Sequence, residues 1–380
     1  LQRRAKHARN GRSAEVLRRH VVGATLLADR ARRKTGSVET ATTRQDWEEA
    51  MRLRCRMTRW LGSLVLVALA LGGQRPAEAG TIRIGVLKFG TVNWELDAIK
   101  SNGLDRAEGL ELQIVELANT AATTVALQAG DVDVIVTDWL WVTRQRAEGA
   151  GFTFVPYSTS VGALVLPPDS TVTTLADLAG KKLGIAGGPV DKGWLVVRAA
   201  AAQRHGIDLD EAVEKVFAAP PLLNEEIISG RLDALLTFWN FAAQLEARGF
   251  RKLIGVEDAA RDLGIETQVP LLGYVFDEAW ATTHKDDVLA LVRASRKAKE
   301  LLARSDAEWK RLRPLMKAAD DATFAALRDG FRAGTPGRWG EAERVDARRL
   351  FAIMAKLGGA ELVGKSSELQ PGTFWDAVTY

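Results

Sequence analysis

From residue 81 to residue 276 short apolar runs alternate with longer segments of helical spacing, and that alternation restricts the chain to an α/β architecture. The runs at 81–88 (TIRIGVLK), 110–117, 132–137 (VDVIVT) and 152–157 read as strands. Between them 93–100 reads as a helix with Asn93 as its N-cap, 120–130 as a helix closed by Gly130, and 141–149 as a third. A second set follows, with a short helix at 175–178, strands at 182–186, 213–218, 232–238 and 252–256, and helices at 192–205, 222–230 and 241–249. Each set predicts a mainly parallel sheet covered by helices. Beyond an extended run at 269–276 the pattern turns helical, with amphipathic stretches around 285–304, 306–317, 320–332 and 341–357.

Two αβ sets joined by extended segments at 160–167 and 268–276 predict two lobes and a hinge. The first lobe would hold 80–163, the second 164–271, and the chain would return to the first at 272–380, ending in helices packed on it. Ligands of open α/β sheets bind beyond the carboxyl ends of the strands, so the gap between the lobes is the expected site.

One stretch, ALQAGDVDVIVTDW at 126–139, shows how each unit is built. A helix ends at Gly130, where a left-handed cap suits glycine. Asp131 and Asp133 alternate with apolar Val132 and Val134, so they read as solvated turn residues and not as a metal pair. EEIISGRLDALLTFW at 225–239 has the same design, which makes Gly230 and Asp233 structural as well.

Charge is unevenly spread. The chain carries a formal net charge of +4, yet residues 1–79 hold 17 of its 52 basic and only 7 of its 48 acidic groups. The remainder is mildly acidic, which argues against nucleic acid or an anionic membrane as partner. Within the basic part, Arg52, Arg54, Arg56 and Arg59 precede an apolar run from Trp60 to Leu71, and Ala77-Glu78-Ala79 follows. A positive start, a run shorter than the about 20 residues needed to span a bilayer, and small residues at cleavage spacing together read as a signal peptide at 51–79. Residues 1–50 read as an untranslated or disordered extension. The single cysteine, Cys55, precedes the apolar run, so the part after the leader has no disulfide, thiolate nucleophile or Cys-based metal site.

Four stretches in this order and spacing, TIRIGVLKFG, ALQAGDVDVIVTDW, TLADLAGKKLGIAGG and EEIISGRLDALLTFW, make the chain from Thr81 to Val378 resemble the substrate-binding proteins of the nitrate/sulfonate/taurine (NitT/TauT) class of ABC importers. The resemblance implies a type II periplasmic binding protein: a periplasmic monomer, not an enzyme, without cofactor or metal, that delivers a small solute to an ABC permease and ATPase. The same binding step would serve a periplasmic sensor.

The strand-end loops nominate the residues that touch the solute. They are Phe89, Asn93 and Trp94 after the first strand, and Asp138 and Trp139 after the third. In the second lobe they are Gly188, Asp191 and Trp194, then Trp239 and Asn240. Ser160 and Tyr274 lie on the two crossings. Four such loops each carry a tryptophan, which suits a planar or cationic ligand, although each tryptophan could equally plug core. Asp138 is either a ligand group or a helix N-cap. Gly187-Gly188 could present backbone N–H groups to an anion, but Asp191 and Asp138 would oppose one. The expected solute is therefore a nitrogen-containing or aromatic compound, the alternative being a sulfonate-, taurine- or nitrate-type anion. Enzymes of the same fold fit less well. A thiamine-pyrimidine-forming relative is expected to need a cysteine-rich iron site, a porphobilinogen-polymerising one a cofactor-bearing cysteine, and no histidine falls in a cleft loop.

Overall fold

The computed structural model describes residues 79–88 and 90–380. The extension expected at 1–50, the leader expected at 51–79 save its last residue, and Phe89 lie outside the described residues.

Two five-stranded sheets organise the chain. The first, in the order β2-β1-β3-β10-β4, is made of β1 (Gly80–Leu87), β2 (Leu110–Leu117), β3 (Val134–Asp138), β4 (Phe152–Ser158) and β10 (Leu272–Asp277). The second, in the order β7-β6-β8-β5-β9, is made of β5 (Gly162–Leu166), β6 (Lys182–Ala186), β7 (Glu214–Ala218), β8 (Ala234–Phe238) and β9 (Arg251–Gly255). β1 runs parallel to β2 and β3, and β6 parallel to β7 and β8, because a helix returns the chain after each strand. β5 and β10, which carry the chain between the lobes, run antiparallel to both neighbours, so each sheet is mainly parallel with one reversed strand. Each crossing strand begins beside the end of a neighbouring strand, Gly162 pairing with Phe238 of β8 and Leu272 with Asp138 of β3. It can only run back the other way. β5 also enters the second sheet at Gly162, two residues before the boundary expected at 163/164.

The first lobe carries α1 (Val92–Ser101), α2 (Leu104–Ala107), α3 (Thr120–Ala129) and α4 (Trp139–Ala147). The second carries α5 (Lys192–His205), α6 (Leu209–Ala212), α7 (Pro220–Ile228), α8 (Trp239–Glu246) and α9 (Val256–Asp262). After β10 come α10 (Glu278–Thr283), α11 (Lys285–Arg304), α12 (Asp306–Met316), α13 (Asp321–Ala333) and α14 (Glu341–Val363). α1 starts one residue earlier than expected, with Thr91 as its N-cap. Asn93 is freed from capping, and its amide closes the preceding loop by donating to Leu87 O at 2.8 Å and Lys88 O at 3.3 Å.

The repeated stretch is one device used twice. Gly130 and Gly230 take left-handed backbones, φ 76° and 72°, just past α3 and α7. Asp133 and Asp233 then clamp the central strand of each sheet. The Asp133 carboxylate accepts Arg83 N at 2.7 Å and its own N–H donates to Arg83 O at 2.8 Å. Asp233 does the same with Lys182, at 2.8 and 2.9 Å. Asp133 therefore does more than solvate a turn, since it also pairs with the Arg83 guanidinium at 2.5 Å.

Helix α14 reaches beyond the first lobe. Its Leu350, Phe351 and Met354 join one apolar cluster that also contains Leu140 and Val142 of α4 and Trp194 to Val197 of α5. The helix lies against both α4 and α5 and straps the lobes together on one side. Among the described residues no helix is long and apolar enough to cross a membrane.

Candidate functional site

The carboxyl ends of β1, β3, β6 and β8 meet across the gap between the lobes. Two contacts show it. Lys192, at the start of α5 in the second lobe, pairs with Asp138, at the end of β3 in the first, at 2.9 Å. Trp239, which follows β8, stands edge-on to Trp94 of α1, ring centroids 6.1 Å apart.

The Asp138–Lys192 pair occupies the carboxylate that the sequence offered to a cationic ligand. One Asp138 oxygen caps α4 by accepting Trp141 N at 2.9 Å, and the other faces Lys192. Asp138 thus serves as cap and ion-pair partner together. The neighbouring carboxylate raises the Lys192 ammonium above the ordinary lysine range. Asp191 is occupied too. It caps α5 by accepting Trp194 N at 3.1 Å, and burial pushes its pKa up. Gly187 and Gly188 both have positive φ, 98° and 113°, and a side chain on Gly187 would strike the Asp191 carboxylate at 2.7 Å. The loop that could have cradled an external anion folds against its own carboxylate.

The four tryptophans separate. Trp139 is fully buried, donates from Nε1 to Pro270 O at 3.0 Å and packs against Phe351 and Phe374. Trp194 is fully buried in the same cluster. Both fill core, because α14 and the segment around Phe374 cover them. Trp94 is buried between Trp239, Trp309 and Phe331. Only Trp239 of the four is half-exposed, and it packs on α13, where a Cβ on Gly330 would come within 2.9 Å of its ring. Asn240 is half-buried in the first turn of α8.

Tyr274 is buried away from the cleft. Its hydroxyl donates to Glu95 at 2.9 Å, in a network completed by Ser295 and Lys299. Glu95 has no exposed surface, and the Lys299 ammonium is its ion-pair partner. Burial lowers the Lys299 pKa against the opposing pull of Glu95. The same ammonium stands 4.1 Å from the ring centroid of Tyr157.

Between the lobes, at the first crossing, lies a small cavity lined by Thr91, Tyr157, Ser158, Ser160, Trp239, Lys299, Phe331, Gly334 and Thr335. Its volume is about 10 Å³, room for one water in this closed arrangement. Of the nominated residues it brings together Ser160 and Trp239, with Trp94 behind. Tyr157, Lys299, Phe331 and Thr335 were not nominated. The signal for Lys299 was present: Ser295 and Lys299, four residues apart, are polar positions on the apolar stripe of α11 that also carries Leu291, Ala294, Ala298 and Leu302. A larger cavity of about 240 Å³ opens on the first lobe beside α11, between Pro156, Arg296 and Tyr380, and shares only Lys299 and Thr335 with the cleft. Among the described residues no group of His, Cys, Asp and Glu is placed to hold a metal ion.

Two hinge-connected αβ lobes crossed twice by the chain, with strand ends facing across the gap and helices at the C-terminal end, define a type II periplasmic binding protein fold. The chain belongs to the family described as NMT1/THI5 like, whose model matches residues 100–308, more than half its length. Solved structures agree on the fold. The alkanesulfonate-binding protein SsuA from Xanthomonas axonopodis pv. citri, bound to MOPS, is 20% identical with a TM-score of 0.59, covering 79% of this chain and 99% of its own. The periplasmic aliphatic sulphonate binding protein SsuA from Escherichia coli is 18% identical with a TM-score of 0.62, covering 78% and 92%. An ABC transporter protein from Parabacteroides distasonis is 13% identical with a TM-score of 0.58, covering 78% and 99%. No curated protein sequence matches the chain significantly.

Proposed function

We propose that the chain is the solute-binding component of an ABC import system, working in the periplasm as a monomer that hands its cargo to a permease and ATPase. We further propose that the cargo is a small anion of the sulfonate, taurine or nitrate kind. The observation that carries the choice of anion is the lining of the hinge cavity among the described residues: hydroxyls from Thr91, Ser158, Ser160 and Thr335, one ammonium, three aromatic rings and no carboxylate. The two carboxylates that favoured a nitrogen-containing cation, Asp138 and Asp191, are spent on Lys192 and on helix capping. The solved structures named for sulfonates lend the same direction. Capture requires the lobes to part, since the cavity holds one water when closed, and the two crossings at 159–161 and 263–271 absorb the change.

The test is a thermal-shift series with ethanesulfonate, taurine, nitrate and choline. An anion at about 100 times its dissociation constant adds about 2.7 kcal/mol and raises the melting temperature. A shift with choline and none with any of the anions would overturn the choice of cargo.

A further inference from the structure

Among the described residues the hinge cavity is lined by one buried side chain whose hydrogen bond is unmade. Tyr157 is 4% exposed, lines the cavity, and its hydroxyl has no partner. Its ring is fixed on both sides, edge-on to Tyr274 at 5.5 Å and under the Lys299 ammonium at 4.1 Å. Buried hydroxyls are usually paired; those of Thr153, Thr237 and Thr267 are orphans too, but only Tyr157 lines this cavity, where something else can supply the partner. A second free donor adjoins it. Thr91 occupies the N-cap of α1, yet its side chain makes no cap hydrogen bond. Its hydroxyl and the positive end of a ten-residue helix adjoin the same cavity.

The charge at the wall is balanced. Among the described residues Lys299 is the only cation lining the cavity, and its ammonium is engaged by Glu95, by Ser295 at 3.0 Å and by the face of Tyr157. An anion arriving here meets dipoles and no surplus positive charge. The cost of taking an ion out of water grows with the square of its charge, whereas its attraction to neutral donors grows only in proportion. A site of this kind holds a single negative charge and refuses a double one.

We propose that this cavity is the headgroup subsite of the cleft, that Tyr157 and Thr91 donate to the oxygens of the bound group, and that it selects singly charged oxyanions such as sulfonates over doubly charged ones such as phosphonates. The inference rests on the proposed capture of an anion between the lobes and adds to it a charge rule and two donors. Trp239 closes the subsite from the second lobe, so the solute's remaining atoms lie toward the cleft mouth.

Titration calorimetry on the full chain with ethanesulfonate and ethylphosphonate, from pH 5 to pH 9, tests it. Ethanesulfonate keeps one charge throughout, whereas ethylphosphonate gains its second as pH rises. The expected result is sulfonate affinity independent of pH and phosphonate affinity falling about tenfold or more. Tyr157→Phe removes the orphan hydroxyl and keeps the ring. It is expected to weaken ethanesulfonate about tenfold while leaving the unliganded melting temperature unchanged or raised. Thr91→Val provides the same readout from the other donor. Ethanesulfonate that binds both variants as it binds the unaltered chain, or a phosphonate dianion held as tightly as the sulfonate, overturns the subsite and leaves the proposed function standing. No binding of ethanesulfonate overturns the subsite, and the proposed cargo is then decided by the taurine, nitrate and choline arms of the thermal-shift series.

Discussion

Residues 130–139 and 230–239 are two copies of one design, and they end in opposite environments. In both, a glycine reverses the chain, an aspartate clamps the central strand, a threonine is buried near the strand end, and a tryptophan opens the next helix. Trp139 is then sealed in core between Phe351 and Phe374, while Trp239 stays half-exposed against the other lobe. The residue before each tryptophan differs as well. Asp138 caps its helix, whereas Phe238 cannot, and the phenyl is 38% exposed. The local pattern carries a ring to the strand end. Whether that ring fills core or faces a ligand depends on what the rest of the chain lays over it: α14 and the C-terminal segment in the first lobe, a movable lobe interface in the second.

Exchanging each tryptophan for alanine breaks the comparison most sharply. Trp139→Ala opens a large cavity and is expected to cost about 3–5 kcal/mol in urea unfolding. Trp239→Ala is expected to cost about 1 kcal/mol, because the ring is only partly buried, and to act mainly on ligand affinity. Equal losses would mean that the two positions are alike after all.

The aspartate clamps come next. Asp133→Ala and Asp233→Ala each remove a charge-assisted hydrogen bond to a strand N–H, worth about 1.5–3 kcal/mol. Asp133 also holds Arg83 at 2.5 Å, so its loss is expected to be the larger of the two. The urea midpoints of the two variants, measured side by side, decide it. A larger loss at Asp233 would show that the guanidinium adds nothing.

Gly330→Ala sharpens the cleft side of the comparison. Alanine raises helix propensity by about 1 kcal/mol, but its methyl would meet the Trp239 ring at 2.9 Å and hold the lobes apart. A larger radius of gyration in X-ray scattering, with folding intact, is the expected outcome. An unchanged radius would place closure elsewhere.

The smallest effect belongs to the Asp138–Lys192 latch. Lys192→Met is expected to shift stability by about 0.5–1 kcal/mol, less at high salt. The sign with pH follows from the raised Lys192 pKa. The folded state holds the proton more tightly than the unfolded chain, so the contribution is complete below the ordinary lysine value. It disappears as pH climbs through the raised one. Unfolding of the unaltered chain and of Lys192→Met should therefore converge only in strong alkali. Convergence near neutrality would mean that the latch is not formed.

Local periodicity made most of the fold legible. Strand and helix positions, both left-handed glycines and the two crossings follow from residues close in sequence. The missed features depend on residues far apart. α14 fastens to α5 across some 150 positions, and Ser295 and Lys299 reach Glu95 about 200 positions away. The nominated site shows the same division. Ser160 and Trp239 were readable because strand ends point at a cleft. Trp139, Trp194 and Tyr274 were misplaced because a strand-end aromatic looks the same from within its own segment whether or not a helix covers it.

By itself the sequence determined the two αβ units, their shared design and the order in which the chain visits them, because hydrogen-bonding periodicity and glycine conformation are local properties. Only the tertiary structure decided which tryptophan lines the hinge cavity, that Asp138 and Asp191 already have partners, and that the Tyr157 hydroxyl has none. Burial and charge pairing are set by neighbours from the opposite lobe and from the helices at the far end of the chain.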